Sequence, residues 1–343
     1  MIDVLVVGGG PVGLATAIRC ALAGLSVTVA EPRGTPIDKA CGEGVMPAAV
    51  RRLAALGVKP DGRPLRGIRY VDECHQADAR FRHGHGLGVR RTMLHAALAE
   101  RATALGIPVL PARVTAFAQQ ASHVTAAGIE ARYLVAADGL HSTIRRILER
   151  SSPRRPAAPR YGLRRHYRIA PWTDLVEVHL TTKAEAYVTP VSADVVGIAL
   201  LLPRSGGDDF EARLSAFPAL SRRLAGAAYG SDVRGAGPMR QDVRRRVYGR
   251  VLLVGDASGY LDALTGEGLS VGLAQAEVLA QCLAAGRPGD YERAWRKVSG
   301  PAWRLTAGLL WSRNQPLLAS RLVPAAQYAP WLFSTVVNHI AQA

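Results

Sequence analysis

The chain opens on an unbroken apolar run, "IDVLVV" at residues 2–7, which is the pattern of a strand buried on both faces of a parallel sheet. A helical period with small residues follows over 13–24, and "SVTVAE" at 26–31 reads as a second strand. That is a βαβ start. Residues 47–57 give another helical pattern, and "RRTMLHAALAERATALG" gives a strongly periodic helix ending at Gly106. The shorter runs "VTAFAQ", "HVTAAG" and "ARYLVAADG" predict a β-meander returning to the parallel sheet, and the Pro- and Arg-rich "ERSSPRRPAAPR" at 149–160 marks a boundary. Beyond it, "HYRIA", "LVEVHL", "AYVTPV" and "VVGIALLLP" read as antiparallel strands. "RVLLVGDASG" at 250–259 is again a buried strand ending in Gly-Asp, so the first domain resumes there and the second is an insertion.

Composition narrows the classes. At 343 residues and 48% hydrophobic, the chain can bury a large core. Its formal charge of +16 would concentrate anionic partners, yet the basic residues are nearly all Arg and their clusters lack interleaved aromatics. We read a solvated basic face and expect no nucleic-acid partner. Cys20, Cys41, Cys74 and Cys282 form no C-x-x-C pair, and the nine histidines, including those of "HGHG", fit no ligand spacing. No disulfide and no metal are expected. The strand pattern starts at once, leaving no room for a cleavable signal, and no apolar run is long enough to span a bilayer, so a cytoplasmic location is expected.

The chemistry sits in turns. In "GGGPVG", Gly8, Gly10 and Gly13 take the G-x-G-x-x-G positions between strand and helix, with Glu31 at the end of the next strand. Such glycines permit a tight turn, close approach of backbone to a pyrophosphate, and close helix–strand packing, while the carboxylate suits an adenosine ribose. Two more acidic or glycine-rich turns follow: "ADGLHSTIRR", with Asp138 and Gly139, and "VGDASGYLDALTGEGLSVGLAQA", with Asp256, Gly266 and Gly268. An Asp ending a returning strand can bind ribityl hydroxyls, and a glycine turn opening a helix can face the flavin pyrimidine edge. Three such sites along one extended ligand imply FAD.

On these motifs, with "DKACGEGVMP" at 38–47, the chain resembles the FAD-dependent monooxygenase and geranylgeranyl reductase superfamily from residue 2 to about residue 280. The resemblance implies an α/β fold: a Rossmann-like FAD-binding domain carrying an inserted antiparallel-sheet substrate domain, as in p-hydroxybenzoate hydroxylase. Its division here would be 1–70, 87–160 and 235–285 for the discontinuous FAD-binding domain, 71–86 and 161–234 for the substrate-side sheet, and 286–343 for a C-terminal helical tail. By motif position, Gly8, Gly10, Val12 and Gly13 would hold the pyrophosphate, Glu31 and Arg33 the adenosine side, and the Val114 backbone the adenine. Arg91 would reach the pyrophosphate, Cys41, Gly42 and Gly44 would lie along the flavin, and Asp138, Gly139, Asp256, Gly266, Gly268 and Leu269 would complete the ribityl and flavin contacts.

Catalytic residues are not legible beyond two weak candidates, Cys41 and Tyr187. Cys41 is either a thiol beside the flavin or a small residue chosen for fit. Glu43 is read as solvated or paired with an arginine such as Arg33. Geranylgeranyl reductases carry a Y-x-W-x-F-P-like segment, of which Tyr187 and Pro190 survive here; the Pro of their D-P-L-T-G-E-G turn is Ala263. Residues 60–90 hold no Lys, against the catalytic lysine of the related halogenases. The expected activity is therefore an FAD-dependent monooxygenase that hydroxylates an apolar aromatic, phenolic or polyketide-like molecule of secondary metabolism through a flavin hydroperoxide. The alternative is an isoprenoid double-bond reductase. NAD(P)H is the expected reductant, and the amphipathic, basic tail could touch lipid as a peripheral contact.

Overall fold

Strand Ile2–Val7 lies inside the first sheet because it is apolar on both faces; Val4, Leu5 and Val6 have no exposure. It pairs in parallel with Val27–Ala30 and with Ile129–Ala136, and Val109–Leu110 and Val251–Leu253 extend the parallel set. The returning strand at 250–259 thus takes its place beside Ile129–Ala136. The structure, a computed structural model, describes residues 1–149, 159–182, 184–203 and 209–342, so most of the boundary segment read at 149–160 lies outside the described residues.

Helices Pro11–Leu22, Arg91–Ala104 and Gly268–Ala284 cover one face of this sheet. The first begins two residues ahead of the sequence expectation, since Gly10 caps it in extended conformation and Pro11 presets the helical φ. The core on the other face includes Val114, Val124, Ala126 and Ile144, where Ala118–Gln119 and Val124–Ala126 form a meander that pairs antiparallel with the start of Ile129–Ala136.

The second sheet runs in the order Ala228–Tyr229, Arg160–Arg168, Val195–Pro203, Glu185–Pro190, Val176–Leu180, Gly67–Val71 and Gln76–Arg80. Its pairs are antiparallel except Val176–Leu180 with Gly67–Val71, which run parallel because they come from segments far apart in sequence rather than from a hairpin. The division placed at residue 70 cuts strand Gly67–Val71, all of which pairs within this sheet. Between the sheets lies a small three-stranded one, Gly44–Val45, Gly86–Gly88 and Arg63–Leu65. It touches the second sheet so closely that a Cβ on Gly88 would stand 1.8 Å from the Pro190 carbonyl oxygen.

The tail is not a separate layer. Helix Pro330–Gln342 packs Phe333, Val337 and Ile340 onto the second sheet, with the Phe333 ring 4.7 Å from that of Tyr70. Asn338 closes the sheet edge, accepting from the Arg82 N–H and donating to the Arg80 carbonyl oxygen.

The turn after the first strand yields a direct test. A Cβ on Gly13 would lie 1.9 Å from the Gly8 carbonyl oxygen, whereas one on Gly10 would meet nothing within 4 Å. Gly13→Ala should lower stability by about 2 kcal/mol or more in denaturant titrations. Gly10→Ala should leave the midpoint nearly unchanged while weakening flavin retention.

Candidate functional site

A cavity of about 420 Å³ opens at the carboxyl ends of the first sheet's strands and runs to the face of the second. This is where open α/β sheets bind ligands. It gathers residues from every predicted motif: Gly10 and Val12 of the first turn, Arg33, the 41–44 loop, Arg91, Asp138 and Gly139, and Asp256, Gly266, Gly268 and Leu269. Its far end is apolar, walled by Ile68, Tyr70, Val176, Val178, Leu201 and Met239 beside Tyr187.

Gly8 and Gly13 lie beneath the wall and shape it. Gly8 has φ +106, and a Cβ there would strike the Ala137 carbonyl oxygen at 2.5 Å, so only glycine lets the first strand turn beside the third. Glu31 stands behind the turn at 4% exposure. Its carboxylate accepts from the Gly9 N–H at 2.8 Å and takes a bidentate pair from Arg33 at 2.7 and 2.9 Å. Against the opposing effect of burial, these donors hold it below the usual carboxylate range. Arg33, rather than Glu31, reaches the cavity. The Val114 side chain is buried in the core on the other face of the sheet, and Val114 does not line the cavity.

The 41–44 loop corrects one expectation. Glu43 is not solvated, and the arginine beside it is Arg164, at 3.9 Å, rather than Arg33: it is 3% exposed, and its two oxygens accept from the Arg91 N–H at 2.8 Å and from His166 Nε2 at 2.6 Å. Arg33 is committed to Glu31. Glu43 holds φ +59, a left-handed conformation that costs a non-glycine residue roughly 1 kcal/mol or more and persists because both oxygens are pinned. Thr189 donates to the Gly42 carbonyl oxygen at 2.7 Å, and buried Arg164 reaches Asp38, so the loop is fastened to the second sheet at three points. Cys41 lines the cavity, and its sulfur accepts from the Glu43 N–H at 3.4 Å.

The two return turns are tied together. Asp138 Oδ2 accepts from the Thr143 and Ile144 N–H groups, at the start of helix Thr143–Leu148. Buried Arg145 donates to the carbonyl oxygens of Asp256, Ala257 and Leu140. Asp256 faces Lys39 at 3.7 Å. Tyr187 donates its hydroxyl to the Leu264 carbonyl oxygen at 3.0 Å, and burial pushes its pKa well up, so the phenol acts as a tie between the second sheet and the "LTGEG" turn.

Sequence reasoning missed several of these residues. His95, one helical turn after Arg91, donates from Nε2 to the Gly9 carbonyl oxygen at 2.9 Å and braces the glycine turn; burial lowers its pKa. A lone His on the buried side of a periodic helix was the available signal. His166 and Thr189 act across the two sheets, and Lys39 meets Asp256 from a distant loop; none left a local pattern.

The residues present fit FAD. Gly10 leaves open space at the helix N-terminus, and Arg91 Nε and Asp138 Oδ1 are buried without a hydrogen-bond partner among the described residues. A dinucleotide supplies acceptors for the first and hydroxyl donors for the second.

Behind the "LTGEG" turn, Glu267 is 4% exposed, and its Oε1 has no partner among the described residues. Burial raises its carboxyl to about 8, from 4.5 when solvated. Between those values the folded chain keeps a proton that the unfolded chain has lost, so stability falls as pH rises across that window. Glu267→Gln removes this slope. The variant should be more stable than wild type at pH above about 8, by an amount on the order of a few kcal/mol, with the difference vanishing toward pH about 4, as read from denaturation midpoints.

Residues 1–158 match the FAD binding domain family. The chain is 26% identical to a menaquinone reductase of Mycolicibacterium smegmatis over 85% of its own length and 79% of that protein's. It is 29% identical to a rifampicin monooxygenase of Streptomyces venezuelae over 83% of its length, spanning 64% of that longer protein. Among solved structures, a flavoprotein/dehydrogenase from Cytophaga hutchinsonii superposes with a TM-score of 0.87 at 18% identity, covering 99% of this chain and 93% of that one. The shared architecture is that of p-hydroxybenzoate hydroxylase. With the dinucleotide turn, the two return turns and the apolar chamber in one cavity, and with residues 1–158 matching an FAD binding domain, the chain is an FAD-dependent oxidoreductase similar to the FAD-dependent monooxygenases.

Proposed function

We propose that the protein hydroxylates an apolar aromatic or polyketide-like molecule, using dioxygen and electrons drawn from NAD(P)H. The observation that carries this reading is the chamber itself: one end of the cavity gathers the dinucleotide turns, and the other is an apolar pocket walled by Ile68, Val176, Val178, Leu201 and Met239. Bound FAD, once reduced, supplies the electrons that activate dioxygen. One oxygen atom enters the product and the other leaves as water.

The protein's own part is holding, orienting and drying. Gly10 and Val12, with Arg91, hold the pyrophosphate; Arg33, anchored by Glu31, reaches the adenosine side; Asp256, Gly266, Gly268 and Leu269 hold the ribityl and flavin part. Cys41, Gly42 and Gly44 form a thin wall along the ring, kept in place by Glu43. Ile68, Val176 and Val178 exclude water where the substrate sits, which strengthens every electrostatic contact inside. Attack by an electron-rich ring needs no protein nucleophile. Saturation of a double bond does need a placed proton donor, and the two candidates are poor: Tyr187 is spent on Leu264, and Cys41 has no base beside it. The likeness to a menaquinone reductase keeps reduction as the second reading.

Purified protein should be yellow, and Asp256→Ala should lose FAD on dilution about tenfold more readily, since a hydrogen bond to a charged group contributes about 1.5–3 kcal/mol. With an apolar phenol and NAD(P)H, oxygen uptake should depend on substrate, and mass spectrometry should find one atom of labelled dioxygen in the product. Cys41→Ser should keep most of this turnover. Anaerobic turnover giving a product two hydrogens heavier would assign the reductase instead.

A further inference from the structure

The C-terminal helices have two unlike faces. Inward, Phe333, Val337 and Ile340 pack on the second sheet, and Ile340 lines the cavity. Outward, Tyr328 is 83% exposed, Trp331 70%, Trp311 62%, Leu332 49% and Leu318 39%. Half of the ten large apolar side chains found exposed among the described residues therefore fall between residues 311 and 332. They cluster at helix junctions: Trp311 near the end of Tyr291–Arg313, Tyr328 ending Leu322–Tyr328, and Trp331 opening Pro330–Gln342. Between Trp311 and Tyr328 the chain makes two short helices, Pro316–Ala319 and Leu322–Tyr328, the second about 10 Å long at 1.5 Å per residue, so all five side chains are carried on one compact stretch of chain.

Charge says what this region fits. Residues 293–343 contain six Lys or Arg and no Asp or Glu. Arg304 and Arg321 are exposed there, on a chain whose net charge is +16. A second copy of the same face would meet it with like charge. An anionic lipid surface offers phosphates to the arginines and an interfacial layer where Trp and Tyr are most stable. No helix among the described residues is long and apolar enough to cross a membrane, so the fit is to a surface.

We propose that this face docks the protein on an anionic bilayer, with Trp311, Tyr328, Trp331 and Leu332 in the headgroup region and Arg304 and Arg321 against lipid phosphates. Helix Pro330–Gln342 carries both the docking residues at its start and Ile340 in the cavity wall near its end. An apolar substrate dissolved in the lipid would then meet the enzyme on the side of its own chamber. This purpose rests on the apolar-substrate reading above; the docking itself does not.

The test is flotation of the FAD-loaded protein with vesicles of phosphatidylcholine alone or mixed with phosphatidylglycerol, without substrate. Binding should be strong only with phosphatidylglycerol and should weaken in high salt. The pair Trp311→Ser and Trp331→Ser should reduce it about tenfold or more, as should Arg304→Glu with Arg321→Glu, while flavin absorbance and circular dichroism stay as in wild type. Leu22→Ser, at an exposed leucine far along the sequence, should bind like wild type. Equal flotation of wild type and the Trp pair, or no binding to anionic vesicles, would overturn the proposal. So would light scattering that shows a wild-type dimer broken by the Trp pair, which would make the face a self-interface. Oxygen uptake with a water-soluble phenol is measured separately, so loss of docking and failure of the hydroxylase reading are distinct results.

Discussion

Two sheets that share no strand enclose one cavity here, and the buried carboxylate of Glu43 keeps them in register. It joins the N-terminus of helix Arg91–Ala104, which belongs to the first sheet's layer, to His166 on the second sheet, and it does so from within the loop that lines the cavity. Removing either partner would leave a charge at 3% exposure without its donor, which is costly, so the pair fixes a geometry rather than adding stability for its own sake. The left-handed backbone at Glu43 is the local strain this arrangement sustains. That tether, with Thr189 on Gly42 and Arg164 on Asp38, holds what residues 41–44 place in the cavity.

The other inter-sheet ties follow the same logic. Thr189 to Gly42, Arg164 to Asp38 and Tyr187 to Leu264 each spend a polar group of the second sheet on a backbone or side-chain partner in a flavin-side loop. Arg145 does the equivalent within the first domain by joining the two return turns. Because these groups are engaged, what remains at the substrate end is shape and dryness. That suits chemistry in which the cofactor carries the reactivity and the protein supplies orientation. Near this end, buried Glu185 accepts from both Arg160 and Arg313, which brings helix Tyr291–Arg313 into the same framework.

The sequence alone was enough for the βαβ start, the inserted second sheet, the cofactor class and six of the eight cavity-lining glycines, with Gly162 and Gly255 left out. The reason is physical locality. Gly8, Gly10 and Gly13 sit in one turn, where the spacing alone marks the strand-to-helix junction; Gly13 meets the Gly8 carbonyl oxygen five residues back, while the close approach to Ala137 comes from elsewhere in the chain. Parallel strands buried on both faces announce themselves as apolar runs, and an Asp or Gly that ends such a strand marks its carboxyl end. Those signals survive without knowledge of where the chain goes next.

Tertiary structure decided what local pattern could not. Glu43 and His166 are 123 residues apart, so nothing near either one names its partner, and the loop carboxylate was read as solvated or paired with an arginine such as Arg33, where Arg164 stands instead. Strand Gly67–Val71 joins the second sheet through a parallel partner more than a hundred residues away, which shifts the domain edge into a stretch that looked continuous with the first domain. The tail read only as amphipathic; its inward face became a wall of the cavity once Ile340 met the second sheet. Periodicity states that a face is apolar, and only packing states what covers it.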